Sequence, residues 1–234
     1  MIALVSALDL ELKAFLKNIK TVRKEKWSDF TFHTGSVAGK EVVIAKVGVG
    51  KALAALVTQK IIDRYNPDAI ILSGMAGGLK AGLEIGDIVV GEESLQYDLD
   101  VTRLGFKRGQ IPDTRFHIMP SDPYLVSIAK KYRSSGGKLI FGRILTGDQY
   151  ITGAGKEVLK FLTEELGGAA VDMEGASVGL TALVNKLPFL LVRIVSDKAD
   201  GNPPPHFRKF AVEVSQKAYE LVFFIISEMS AIPN

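Results

Sequence analysis

Ala169–Asp197, AAVDMEGASVGLTALVNKLPFLLVRIVSD, is the stretch whose reading decides the fold class. A short apolar run (Ala169–Met173) leads into a helical pattern over Gly175–Val184, and a second apolar run follows at Phe189–Ser196. Unbroken apolar runs suit strands covered on both faces, and strand–helix–strand order is the unit from which parallel sheets are built.

The same alternation continues outward in both directions. Toward the N-terminus, Ile2–Leu8 predicts a central strand, and Asp9 is placed to cap a helix running to about Asn18. Two paired strands, Asp29–Gly35 and Glu41–Val47, are expected around a turn at Ala38-Gly39. A helix over Lys51–Tyr65 ends at Asn66-Pro67, and Ala69–Ser73 is a strand closing on the glycine cluster 74–78. Ile85–Gly91 reads as a strand, and the segment from Glu92 to about Pro120 as a long irregular stretch that carries function. Then come a helix at Pro123–Tyr132, a strand at Leu139–Leu145 and a helix at Lys156–Leu166. The chain finishes with a helix from about Phe207 to Ser230. No linker or repeat interrupts this order, so the expectation is a single α/β domain over residues 1–234. Its central sheet is mixed, mostly parallel, and flanked by helices.

Composition narrows the function. With 47% hydrophobic and 24% charged residues the chain can bury a substantial core. A net charge of +3, with Lys and Arg scattered among acids, argues against a nucleic-acid partner. The chain has no cysteine, which fits a cytoplasmic protein and excludes thiolate metal sites. His33, His117 and His206 make no helical metal pair, so no metal is expected. The apolar start meets Asp9 and Glu11 without a basic segment and reads as a strand, not a signal peptide. Leu221–Ile226 (LVFFII) is about a third of a membrane span, so no membrane partner is expected.

In such sheets ligands bind at the carboxyl ends of strands. The polar residues falling there are Asp9 and Glu11, the glycine cluster, Asp172-Met173-Glu174, and Ser196-Asp197 with Asp200. Arg193 interrupts an apolar strand and needs a partner, because an isolated buried charge is very costly. Taken one at a time, each has a structural reading: helix cap, solvated helix acid, dipole partner or turn residue. The glycine segments match neither a dinucleotide fingerprint nor a Walker loop.

Nine stretches in order give the chain a resemblance. They are ALDLE (Ala7–Glu11), KVGVGK (Lys46–Lys51), SGMAGG (Ser73–Gly78), GDIVV (Gly86–Val90), YDLDVT (Tyr97–Thr102), GQIP (Gly109–Pro112), TGDQYI (Thr146–Ile151), VDMEG (Val171–Gly175) and VRIVSDKAD (Val192–Asp200). Together they resemble the 5′-methylthioadenosine/S-adenosylhomocysteine nucleosidases of the purine nucleoside phosphorylase superfamily. The resemblance implies a nucleoside phosphorylase-like fold and hydrolysis of the N-glycosidic bond of those nucleosides, and of 5′-deoxyadenosine. It implies no cofactor, and a place in nucleoside catabolism and methionine salvage.

The resemblance also implies roles. Glu11 becomes the base that activates water and Asp197 the acid that protonates purine N7, oriented by Ser196. Met173 and Glu174 bind the ribose, with Arg193 nearby. Tyr150 stacks on adenine and the backbone of Ile151 bonds to it, while Met75, Ala76 and Gly77 line the site. Val49 and Phe207 belong to the 5′-thio pocket, completed by Val101, Leu104, Phe106 and Pro112 from the neighbouring subunit of a homodimer. Four features depart from the family pattern: Met75 for a small or hydroxyl residue, Tyr150 for phenylalanine, Leu104 for an aromatic, and the segment Asn202–His206. Adenine leaves poorly as an anion, so protonation at N7 paired with a carboxylate near the developing oxocarbenium suits this residue set.

The alternatives are a phosphorylase, a futalosine-type nucleoside hydrolase, or a non-catalytic nucleoside binder. A phosphorylase needs cations at its phosphate site, and the 46–51 and 73–78 loops contain no arginine. A binder has no need of both Glu11 and Asp197.

Overall fold

The computed structural model describes residues 1–151, 155–198 and 207–230. Its strands are β1 (Ile2–Ser6), β2 (Lys20–Trp27), β3 (Phe30–Val37), β4 (Lys40–Lys46), β5 (Ala69–Gly78), β6 (Ile88–Gln96), β7 (Ile118–Pro120), β8 (Leu139–Thr146), β9 (Gly168–Asp172) and β10 (Phe189–Asp197). The helices are α1 (Lys13–Asn18), α2 (Lys51–Tyr65), α3 (Pro123–Ala129), α4 (Lys156–Lys160), α5 (Gly175–Val184) and α6 (Phe207–Glu228).

All the described strands join one mixed sheet in the order β10-β6-β8-β9-β5-β1-β4-β3-β2, with β7 on β6 and β10 also paired to β5. Strand β5 makes this possible by its length. Its first half pairs in parallel with β1, its far end pairs with β9, and β10 runs along it in parallel. The strands β5, β10, β6, β8 and β9 therefore close into a ring, and β1, β4, β3 and β2 extend from it as an open wing.

Helices cover both faces of the sheet. Along β1, Ile2 and Leu4 pack into a core with Phe15 of α1, Leu125 of α3 and Leu221 of α6, whereas Ala3 and Val5 pack with Val57 of α2 and Val178 of α5. Successive strand side chains point to opposite faces, so a strand covered twice must be apolar at every position. Helix α6 buries Val214, Ala218, Leu221, Val222 and Ile225, an amphipathic stripe that explains its apolar run. Among the described residues no helix is long and apolar enough to cross a membrane.

Several elements differ from the sequence reading. Asp9 caps nothing: α1 begins at Lys13 without a side-chain cap, and exposed Asp9 pairs with Lys46 Nζ at 2.8 Å. Strand β2 is a strand that sequence reading missed. It is a charged edge (KTVRKEKW), and the register shift between Thr21 and Arg23 leaves Val22 80% exposed, so the period-two signal is lost. The 92–120 segment is not irregular at its ends, because β6 runs on to Gln96 and β7 occupies 118–120. The helix expected to Leu166 changes at Phe161 into a π turn that ends at Glu165.

Candidate active site

Strand β5 does not stop at its glycines; it carries Gly74–Gly78 alongside Arg193–Asp197 of β10. A Cβ at Gly74 would lie 2.6 Å from Arg193 Nη1 and 2.7 Å from Glu11 Oε1. Only a residue without a side chain lets those two groups meet over the strand. The register between β5 and β10 shifts between Val195 and Asp197. Such a bulge re-aims the residues beside it, and Ser196 and Asp197 both face the same cavity.

Glu11 sits just past the end of β1 and is 3% exposed. Its carboxylate accepts from Met75 N–H at 2.8 Å (Oε1) and from Leu8 N–H at 2.9 Å (Oε2). Its carbonyl accepts from Ser215 Oγ at 2.6 Å, and Ser215 Oγ in turn accepts from Ala14 N–H, so α6 fixes the turn that presents it. Burial pushes the Glu11 carboxyl above its ordinary value, against the opposing pull of Arg193 and those backbone donors.

Arg193 is fully buried. Its Nε and Nη2 donate to Asp172 Oδ2 at 2.8 and 2.6 Å, and Nη2 reaches Glu174 Oε2 at 3.3 Å. Nη1, on the Gly74 side, has no hydrogen-bond partner among the described residues. Asp172 also accepts from Thr146 Oγ1 at 2.5 Å and from Gly175 N–H. Glu174 opens α5 and accepts from Gly50 N–H at 3.1 Å. One guanidinium serves three buried carboxyls, Glu11, Asp172 and Glu174. Burial first, and then the charges of Asp172 and Glu11, hold Glu174 up at about 7 against the attraction of Arg193.

Asp197 is 3% exposed, and Ser196 Oγ donates to its Oδ2 at 2.7 Å. These groups border a cavity of about 510 Å³, a size that suits a nucleoside-scale ligand. Of the residues singled out from sequence, Glu11, Val49, Met75, Ala76, Gly77, Tyr150, Ile151, Met173, Glu174, Ser196 and Asp197 line it together. Arg193 lies behind the wall, not in it. Val101, Leu104, Phe106 and Pro112 are not in the wall of this chain's cavity, and Leu104 is 72% exposed. The Phe207 side chain and residues Asn202–His206, like Asp200, lie outside the described residues.

Sequence reading flags Asp172 without a role, takes Gly74 and Thr146 only as members of their stretches, and gives no sign of Ser215. The unpaired charge of Arg193 was the one available signal, pointing to a buried acid without saying which. Among the described residues no group of three or more His, Cys, Asp or Glu is arranged to hold a metal ion.

Comparison with known proteins adds to this geometry. The family model of the phosphorylase superfamily matches residues 1–227. A 5′-methylthioadenosine/S-adenosylhomocysteine nucleosidase of Colwellia psychrerythraea is 33% identical over 97% of this chain and 95% of its own. The crystal structure of the same enzyme from Neisseria meningitidis, in complex with methylthio-immucillin-A, superposes with a TM-score of 0.91 at 30% identity, covering 97% of this chain and 99% of that one. A futalosine hydrolase of Helicobacter pylori superposes with a TM-score of 0.89 at 27% identity, covering 97% of each chain.

Proposed function

The chain belongs to the phosphorylase superfamily and, within it, to the 5′-methylthioadenosine/S-adenosylhomocysteine nucleosidases, and from that premise we propose how its site works. It is a hydrolase of N-glycosyl bonds that releases adenine from 5′-methylthioadenosine and S-adenosylhomocysteine. The observation that carries the mechanism is that Glu11 and Asp197, both buried, face one cavity together with Glu174.

Adenine occupies the Tyr150–Ile151 side and Asp197, carrying a proton, donates it to N7. The C1′–N9 bond breaks as adenine departs neutral. Glu11 removes a proton from a water molecule whose oxygen attacks C1′. The positive charge that builds on the sugar is met by the Glu11 and Glu174 carboxylates, and general acid–base steps of this kind contribute roughly 10²–10⁴ each. Glu174 accepts from the ribose hydroxyls, beside Met173. Arg193 is committed to Asp172 and Glu174, and a phosphate next to Glu11 would face acids. Water is therefore the nucleophile.

The 5′ group points to the open side of the cavity, where Val49 is exposed; Leu53 and Leu56 of α2 and Leu104 are further exposed apolar side chains. Exposed apolar side chains of this size are candidates for a partner surface. We assign them to a homodimer whose partner supplies Val101, Leu104, Phe106 and Pro112 to the 5′ pocket, with Phe207 from the chain itself. We also assign the whole chain, as one domain, to the cytoplasm and to methionine salvage, and count 5′-deoxyadenosine among its substrates.

Incubation with methylthioadenosine, with and without phosphate, tests the reaction. Free methylthioribose formed without phosphate is the expected product; a sugar 1-phosphate would overturn hydrolysis. A competition between methylthioadenosine and futalosine tests the 5′ group, since a futalosine hydrolase shares the fold. Preferential turnover of futalosine would reassign the substrate while leaving the acid pair in place.

A further inference from the structure

Three of the matching stretches, KVGVGK, YDLDVT and TGDQYI, contribute charged residues that the reaction leaves unused: Lys51, Asp98 and Asp148. They form one cluster. Helix α2 has no cap of its own, because its cap position is Gly50. Asp148 fills that place from a distant part of the chain, accepting Lys51 N–H on Oδ1 at 2.7 Å. The preceding peptide N–H, that of Gly50, donates to Glu174 Oε1 at 3.1 Å. Two consecutive backbone donors thus hold two carboxylates, one from the loop that carries Tyr150 and one from the ribose side of the site.

Other contacts stiffen this link. Asp98 Oδ1 accepts from Lys51 Nζ at 2.6 Å, and its Oδ2 accepts from Asp148 N–H at 2.9 Å, closing a ring of three residues. Gly50 has φ +90, and a Cβ there would lie 3.1 Å from Asp148 Oδ1, so the turn is available only to glycine. Beneath the loop, a Cβ on Gly147 would fall 2.5 Å from the Tyr97 ring, so the loop rests directly on that ring.

We propose that Asp148 is a positioning residue, which ties the base-stacking loop to the Glu174 carboxylate through the first turn of α2. The inference rests on the nucleosidase reading above. Glu11 and Asp197 are held by other groups, Met75, Leu8 and Ser196. Loss of Asp148 should therefore loosen binding of the base and sugar much more than it slows the chemical step. A helix cap that merely supported the fold would instead lower thermal stability and leave the affinity of folded enzyme for adenine unchanged.

The test measures kcat and KM for methylthioadenosine, inhibition by adenine, and melting temperature in the wild type, Asp148→Asn and Asp148→Ala. Asp148→Ala is expected to raise both the KM and the adenine inhibition constant by about 3- to 30-fold, the span of lost-cap effects, with kcat within about threefold. Asp148→Asn keeps an acceptor oxygen for Lys51 N–H and should fall between the two. An adenine inhibition constant unchanged in folded Asp148→Ala, or a loss confined to kcat, overturns the proposal. Should Asp148→Ala not fold, Asp148→Asn decides it by the same readout, with a shift of about twofold or more expected. A wild type that releases no adenine from methylthioadenosine would instead strike the underlying reading, and this inference with it.

Discussion

The reacting centre and the mouth of the cavity are built on opposite principles. At the centre, Glu11, Asp172, Glu174, Arg193 and Asp197 are all at most 5% exposed, and each is held by a hydrogen bond or ion pair. At the mouth, Val49 and Tyr150 are 46% and 59% exposed and apolar or aromatic. In the proposed mechanism one chain supplies every group the bond cleavage needs, but leaves the region around the 5′ substituent open. On that proposal the type of reaction is set within the subunit, and the choice of 5′ group is left to whatever covers the mouth. Experiments that separate the two regions test this division.

The largest effect is expected at the centre. Glu11→Gln and Asp197→Asn should each lower kcat by about 10²–10⁴ while the protein stays folded, as followed by adenine release and a melting curve. Activity within tenfold of wild type for either variant would remove that residue from the mechanism and with it the contrast between the two regions.

Next comes the charge that holds the centre together. Arg193→Gln leaves Asp172 and Glu174 buried without their cation and should cost about 3–5 kcal/mol in urea denaturation. Adding Asp172→Asn should restore part of that loss, because the two residues form one network. Equal losses in the single and double variants would show that Arg193 matters through packing and not through its pairing.

The mouth should respond differently. Leu104→Glu and Leu56→Glu, both at exposed apolar positions, should break the proposed dimer in sedimentation experiments. They should raise the KM for methylthioadenosine about tenfold, since interface anchors of this kind carry effects of that size. The fold should keep its stability, because neither side chain is in the core. A monomer with unchanged KM would mean that the mouth needs no partner.

The same division decides what the sequence could convey. Strands β1 and β10 were readable because both faces are covered, which writes an unbroken apolar run; Arg193 stood out against it for the same reason. Glu11, Asp197 and Glu174 were unremarkable by pattern and were picked out by the neighbouring stretches. The glycines of β5 read as a turn, yet they stay in the strand because Glu11 and Arg193 occupy the space over Gly74. Nothing local announces the bulge at Ser196, nor the contact from Ser215 to Glu11 across some two hundred residues. These are consequences of three-dimensional closure, and they are what positions the acids. Strand β2 was illegible for the converse reason, since an edge protected by charges carries no apolar period.

The smallest effect is the most specific to a crowded centre. Glu174 is held up at about 7, from an ordinary 4.5, mainly by burial. A carboxyl whose pKa is higher folded than unfolded favours the folded state in its protonated form. That contribution is complete below about 4.5 and is lost as the pH rises through about 7. Glutamine stays neutral throughout, so Glu174→Gln should melt close to wild type near pH 4.5. By pH 8 it should melt several degrees higher. A lower melting temperature at pH 8 would mean that attraction to Arg193 outweighs burial, and that the centre holds its acids as settled ion pairs. Glu174 would then stay ionised through the neutral range, paired to Arg193, instead of gaining its charge only as the pH rises through about 7. The sign of one melting-temperature difference therefore separates a carboxyl whose charge burial opposes from one whose charge Arg193 secures.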